Sequence, residues 1–354
     1  MDASEELLKN LTEVHGVPGY EHRVRAMIRG YMTPLGEIEH DKMGSLICRT
    51  GDAGPKVMLA GHMDEIGFMV RHVTAAGFIK FLPLGGWWDQ VLLGQRVIVK
   101  THQGDVVGVI GAKPPHLLPA DERKKIVEKK DMYIDIGATS QAEVEAAGVR
   151  VGDPVVPDAR FIPLAGGRTY LAKAFDDRVG CALMIEVLQH LAQKEHPNVI
   201  YGAATVQEEV GLRGAGTSAE VVDPDVAIVL ESDIAGDVPG IKDEESAVKL
   251  GRGPTVIVYD RSMIPNLRLR DLVIDTAKDL GIPLQFSAIE AGGTDGGAIH
   301  RHRLGVPTVV IGVAARHIHS HSAIIHRDDY DNAVKLLIEV VSRLDAGTVA
   351  ELTA

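Results

Sequence analysis

The chain has 354 residues, 45% of them hydrophobic and 24% charged, with a formal net charge of −12. That length exceeds what one core usually holds, so two domains are expected. The acidic balance argues against a nucleic-acid partner, whose binding proteins are normally basic, and no apolar run reaches the length of a membrane-spanning helix.

Ser4 reads as the N-cap of a first helix over EELLKNLTEV. This N-terminus lacks the basic start and apolar core of a signal peptide. Cys48 and Cys181 form no CxxC pair and are expected to pack as small apolar residues in a reducing compartment. Together these features predict a cytoplasmic protein. HGVPGY breaks the first helix, and EHRVRAMIRGYM reads as a second. KVMLAGHMD is a short apolar strand that ends in polar residues.

From about residue 70 to 163 the pattern changes. GFIKFLPL, QRVIVKTHQGDVVGVIGA and DPVVPDARFIPL are short strands punctuated by Gly and Pro. PPHLLPADERKKIVEKKDMY, with its mixed charge, reads as a loop or short helix. This predicts a β-rich module at 70–163, inserted into a discontinuous domain of residues 1–69 and 164–354. Beyond it, FDDRVGCALMIEVLQHLAQ is a helix with Leu183, Met184, Val187, Leu188 and Leu191 on one face. NVIYGAATV, DVAIVL and VPTVVIGV are near-continuous apolar runs, as buried parallel strands require. LRLRDLVIDTAKDLG and DDYDNAVKLLIEVVSRLDAG read as helices that each close at a glycine. Strands alternating with helices predict an α/β fold: a mostly parallel sheet with helices on both faces.

Polar residues gather where these strands end, which is where open α/β sheets bind ligands. His62 and Asp64 follow KVMLAG; Asp176 and Asp177 open a helix; Glu208 and Glu209 follow YGAATVQ; Glu231 and Asp233 follow DVAIVL; His319 lies beyond VPTVVIGV. Each alone has a plainer explanation: a loop histidine, an N-cap, a solvated acidic pair. Together they deliver His, Asp and Glu from separate stretches to one edge. Two histidines and three carboxylates suit a pair of divalent ions such as zinc, cobalt or manganese. Two ions roughly 3.5–4 Å apart need a bridging carboxylate and terminal ligands. They also need a base that is not a ligand, so one of Glu208 and Glu209 can bind metal while the other takes a proton.

GHMDEIGFMV, KAFDDRVG, TVQEEVGLRGA, IAGDVPG, GGTDGGAI and RHIHS closely resemble the tetrahedral (TET) metallo-aminopeptidases. That family includes glutamyl and deblocking aminopeptidases and members labelled endoglucanase or cellulase M. The resemblance covers nearly the whole chain in the same order. It implies His62 as terminal ligand of a first metal, with Asp64 fixing its imidazole. It implies Asp176 as bridging carboxylate, Glu208 as general base, and Glu209 and His319 as terminal ligands of a second metal. One position departs: the family usually has Asp where Glu231 stands, six residues before Asp237. Glu231 is taken for the first metal, with Asp233 the runner-up, and His317 and His321 compete with His319. The resemblance also implies a cis Asp176–Asp177 bond, Asp295 on the substrate side, and a PDZ-like or barrel-like dimerisation domain at 70–163. It implies assembly from dimers to a twelve-subunit tetrahedron.

The expected activity is release of N-terminal residues from peptides by a metal-bridging hydroxide, with two zinc or cobalt ions (or manganese) per subunit. Another two-metal amide hydrolase, such as a deacylase or dipeptidase, is the alternative, followed by a non-enzymatic metal-loaded assembly subunit. Trp87 and Trp88, in LGGWWDQV, are expected to pack rather than to touch substrate.

Overall fold

A computed structural model describes residues 1–354. Helices α1 (Ala3–Glu13) and α2 (His22–Met32) open the chain. Strands β1 (Glu37–His40), β2 (Leu46–Thr50) and β3 (Lys56–His62) follow. The next segment holds β4 (Gly67–Val73), β5 (Ile79–Leu84), β6 (Arg96–Thr101), β7 (Gly104–Gly111), β8 (Tyr133–Asp135), the short α3 (Gln141–Ala146) and β9 (Pro154–Pro157). The chain then gives β10 (Ile162–Pro163), β11 (Thr169–Ala172), α4 (Phe175–Leu191), β12 (Val199–Thr205), α5 (Arg213–Val222) and β13 (Val226–Ile234). It finishes with β14 (Thr255–Asp260), α6 (Leu267–Asp279), β15 (Gln285–Ile289), α7 (Gly296–Ile299), β16 (Thr308–Arg316), β17 (Ala323–His326), α8 (Arg327–Arg343) and α9 (Ala346–Glu351).

Eleven strands form one large sheet in the order β1-β2-β12-β3-β13-β16-β17-β11-β10, with β14 and β15 branching from β16. Its centre is parallel: β12 on β3, β3 on β13, β13 on β16. These are the strands whose sequences are apolar throughout, because helices cover both their faces. The larger core cluster lies under α1, α2, α4, α6 and α8, and a smaller one lies under α5 and α7. Antiparallel strands flank the centre on either side.

Strands β4 to β9 close a separate six-stranded barrel in the order β4-β5-β8-β7-β6-β9. It has its own apolar core, including Phe68, Val97, Val99, Ile110 and Ile134. Residues 113–131 carry only three single 3-10 turns, as the mixed charge of that stretch led us to expect.

Two terminus readings need correction. Asp2, not Ser4, caps α1: its carboxylate accepts the Glu5 N–H at 2.9 Å, and the Glu5 side chain accepts the Asp2 N–H at 3.2 Å. Aspartate satisfies the cap as well as serine does, and the reciprocal glutamate decides between them. Helix α8 ends at Arg343 rather than at a glycine; Asp345 caps a further helix, and Gly347 lies inside it.

Candidate metal centre

The parallel register pairs Thr205 with His62, so the loops after β12 and β3 leave the sheet side by side. His62, the last residue of β3, is buried, and its Nε2 points to Asp176 Oδ1 at 3.2 Å. Glu208 Oε2 lies 3.8 Å and Glu231 Oε2 4.0 Å from the same nitrogen. The other oxygen of Asp176, Oδ2, lies 3.1 Å from His319 Nε2, and Glu209 Oε1 is 3.7 Å from that nitrogen. Asp176 thus offers one oxygen to each histidine. Five segments of chain meet here: the ends of β3, β12 and β16, the start of α4, and β13, which runs on to Ile234 and so carries Glu231 within the strand rather than after it.

Local backbone sets these directions. Asp176 and Asp177 depart from helical torsions at the start of α4, and the bond between them is cis. Asp177 turns into the protein, where its carboxylate accepts the His62 N–H and the Gly180 N–H, both at 3.0 Å. His319 takes a left-handed conformation, φ +56, as does Gln207, φ +57.

Asp64 plays a broader part than its place beside His62 suggests. Its main-chain carbonyl accepts from His62 Nδ1 at 2.9 Å, while its carboxylate Oδ1 is 3.5 Å from that nitrogen. The carboxylate instead receives the N–H groups of Glu208 at 3.0 Å and Glu209 at 3.1 Å, one on each oxygen. One buried anion therefore fixes the peptide that carries both glutamates.

The donor set fits divalent cations. Glu209 Oε1 is buried with no hydrogen-bond partner, a costly state for a carboxylate oxygen. Burial, reinforced by the Asp176 charge, pushes Glu209 up to about 8. Burial likewise raises Glu208 and Glu231 well above the usual carboxylate range. Burial also acts against Asp176, but hydrogen bonds from His319 and His62 hold it below its ordinary value. Burial would lower His319, yet its bond to Asp176 carries it up to about 10. This excess of buried negative charge is what cations of charge two relieve. The closest groupings of donor atoms are His62 with Glu208 and Glu231, and His62 with Asp176 and Glu209.

The alternatives named from sequence lie elsewhere. Asp233 Oδ2 accepts from Ser287 Oγ at 2.6 Å and Oδ1 from the Ile234 N–H, so both its oxygens are engaged. His317 is exposed, and His321 is buried against Trp87. Asp295 is buried and accepts from the Thr205 hydroxyl. Trp87 is buried and Trp88 is 61% exposed.

Sequence reasoning missed the support beneath the site. Glu65 is buried between Lys173 Nζ, at 2.6 Å, and Arg178 Nη2, at 3.7 Å. Arg178 donates to the carbonyls of Met63, Leu11, Val14 and Gly16. The signal was present: charged residues within the apolar contexts of GHMDEIG and KAFDDRVG must pair if buried. Glu21 was missed too. Its Oε1 accepts the N–H groups of Gly19 at 2.8 Å and Gln207 at 3.2 Å.

A cavity of about 790 Å3 opens over these groups. Ile234, Ile289, Ile318 and Leu212 give it apolar walls, Gly292 and Gly293 line it with backbone, and Arg261 is its only basic residue apart from the histidines.

A family model described as M42 glutamyl aminopeptidase matches residues 44–336, and one described as AMPT matches residues 2–27. The chain is similar to the glutamyl aminopeptidase of Lactococcus lactis, 36% identical over 98% of each chain. It is similar to the TET aminopeptidase structure from a marine-sediment archaeon, Thaumarchaeota archaeon SCGC AB-539-E09. That match has 53% identity and a TM-score of 0.97, over 99% of this chain and 98% of the other. It is also similar to the Pyrococcus horikoshii TET1 peptidase, described as able to assemble into a tetrahedron or a large octahedral shell. Identity there is 32% and the TM-score 0.88, over 97% of this chain and 100% of the other.

Proposed function

The chain belongs to the M42 glutamyl aminopeptidase family, and we propose that it removes N-terminal residues from peptides at a two-metal centre built on Asp176. The observation that carries this reading is the placement of the two Asp176 oxygens, one on His62 and one on His319. His62, Asp176 and Glu231 would hold one divalent ion; Asp176, Glu209 and His319 would hold the second. The ions, when bound, supply Lewis acidity that polarises a carbonyl and makes water acidic. Zinc or cobalt suits the imidazole and carboxylate donors, with manganese also compatible.

Glu208 is the general base. It is held by Asp64 through its N–H and lies near the ligands, and no protein group donates to its carboxylate in exchange for the proton it must carry. It takes a proton from the attacking water and returns one to the leaving amine. A free, neutral α-amine carries a lone pair that divalent ions accept, which would favour peptide N-termini. Two buried free cysteines fit a reducing, cytoplasmic setting, and the assembly described for the P. horikoshii relative makes a homo-oligomer the expected form.

The test is a panel of short peptides, each with a free or acetylated N-terminus, offered to chelator-stripped enzyme before and after return of zinc, cobalt or manganese. Release confined to free N-termini and to metal-loaded enzyme is expected. Release from acetylated peptides alone would replace this reading with a deacylase. Glu208→Gln should keep its metal and lose about 10^2–10^4-fold in kcat, the usual worth of a general base. Near-native turnover in that variant would remove Glu208 from the role.

A further inference from the structure

The loop that leaves the barrel after β5 crosses the metal centre. The Gly86 carbonyl accepts the Nδ1–H of His319 at 2.6 Å. That bond fixes Nδ1 as a donor, so once the ring is neutral its lone pair falls on Nε2, the nitrogen turned toward Asp176 and Glu209. The approach is close. A Cβ on Gly86 would stand 3.0 Å from His319 Nδ1 and 3.2 Å from Cε1. A Cβ on Gly85, which has φ +88, would stand 2.9 Å from Glu209 Oε2 and 2.4 Å from Ile66 Cγ2. The main chain at 85–86 therefore lies against the two residues read as ligands of the second metal: a side chain at 85 would clash, and one at 86 would displace the His319 ring by a few tenths of an ångström.

The barrel holds this loop from the other side. Trp87 Nε1–H donates to the Gly67 carbonyl at 3.0 Å, and its ring stacks on Phe68 with centroids 4.8 Å apart. Lys129 Nζ donates to the Trp87 carbonyl at 2.8 Å, and the Lys129 N–H to Asp89 at 3.0 Å. The Trp87 ring also meets the buried His321 ring at 5.1 Å. Neither His321 nitrogen has a hydrogen-bond partner, so its contact with Trp87 is one of packing. His319 itself is held at Nδ1 by Gly86.

We propose that the inserted barrel is part of the metal centre: residues 85–87 form a strap that sets the tautomer and orientation of His319, so the hold on the second metal depends on the barrel. Gly86 and Trp87 are positioning residues that act through His319. A module serving only subunit association would need none of these contacts. The inference rests on reading Glu209 and His319 as metal ligands.

The experiment is calorimetric titration of chelator-stripped protein with zinc, with visible spectra during titration with cobalt, for the wild type, Gly86→Ala and Trp87→Phe. Gly86→Ala should weaken one of the two ions by about 10–100-fold, the usual effect of removing a partner behind a ligand. The other ion should stay within about twofold, and the cobalt spectrum should change only for the weakened one. Trp87→Phe keeps an aromatic ring but replaces the indole and removes its N–H bond to Gly67, and should weaken the same ion to a smaller extent, beyond twofold. A melting curve before metal addition checks that Gly86→Ala is folded; if it is not, Trp87→Phe carries the test. Both ions bound within twofold of wild type, or both weakened equally, would overturn the proposal. Wild-type protein that binds fewer than two ions would overturn the two-metal reading and this inference with it, so the two failures are distinguishable.

Discussion

Glu208 and Glu209 are adjacent in sequence, yet Asp64 holds their N–H groups on its two oxygens while their carboxylates face different partners. Sequence showed that two neighbouring acids could divide two tasks. It did not show the anchor, because a carboxylate two residues after a histidine reads as that histidine's partner. Other single residues carry tests of their own. Arg261 is the lone guanidinium in the cavity. Arg261→Leu should lower kcat/KM for peptides with an acidic first residue by roughly 10-fold or more, as loss of a charged hydrogen bond does, and leave neutral peptides little changed. An equal loss on both classes would show that Arg261 does not read charge. Glu21 is pushed up to about 7, first by burial and then by the Asp64 charge. Its folded value lies above the unfolded one, so its contribution to stability is complete below about 4.5 and is lost as pH rises through about 7. Glu21→Gln keeps an acceptor for Gly19 and Gln207 without the ionisation. Denaturant unfolding should show the wild type losing about 2–3 kcal/mol against this variant between pH 4.5 and pH 8. A difference independent of pH would remove Glu21 as the titrating group.

Among the elements, the apolar runs that became β3, β12, β13 and β16 were legible because both their faces are covered, and that pattern has few other solutions. The helices were legible from their periodicity, although the capping chemistry of α1 and the end of α8 were not. For α1 two suitable caps, Asp2 and Ser4, stand two positions apart; for α8 the Asp345 cap starts a new helix before Gly347 is reached. The antiparallel flanks were less legible: β1, β10 and β17 are four, two and four residues long, too short to carry a clear apolar pattern. Least legible was the fastening of α1 to α4. Arg178 is fully buried and donates to carbonyls at the end of α1, in the turn after it and beyond β3. Arg178→Leu should strand those acceptors and leave Glu65 with one cation fewer. Breaking such a buried arrangement costs about 3–5 kcal/mol, readable as a lowered melting midpoint; a loss under about 1 kcal/mol would show that the carbonyls find other donors.

At the scale of the whole molecule, the barrel presents Val107, Val109 and Trp88 to solvent. Val107 and Val109 share one face of β7, as alternate residues of a strand do. This exposed apolar pair makes the β7 face the one to test as a subunit contact. Light scattering should find a particle of many subunits, and Val107→Glu with Val109→Glu should shift it to smaller species. An unchanged mass would place the contact elsewhere. The spacing of the proposed ligands along the chain adds a dimension of time. His62 leaves the ribosome early and His319 late, and at 5–20 residues per second roughly ten seconds to a minute separates them. Throughout that interval the nascent chain holds acids and one imidazole without the partner that completes the pair. A centre of the proposed kind, assembled this way, would stay inert until nearly all of its own polypeptide has been made.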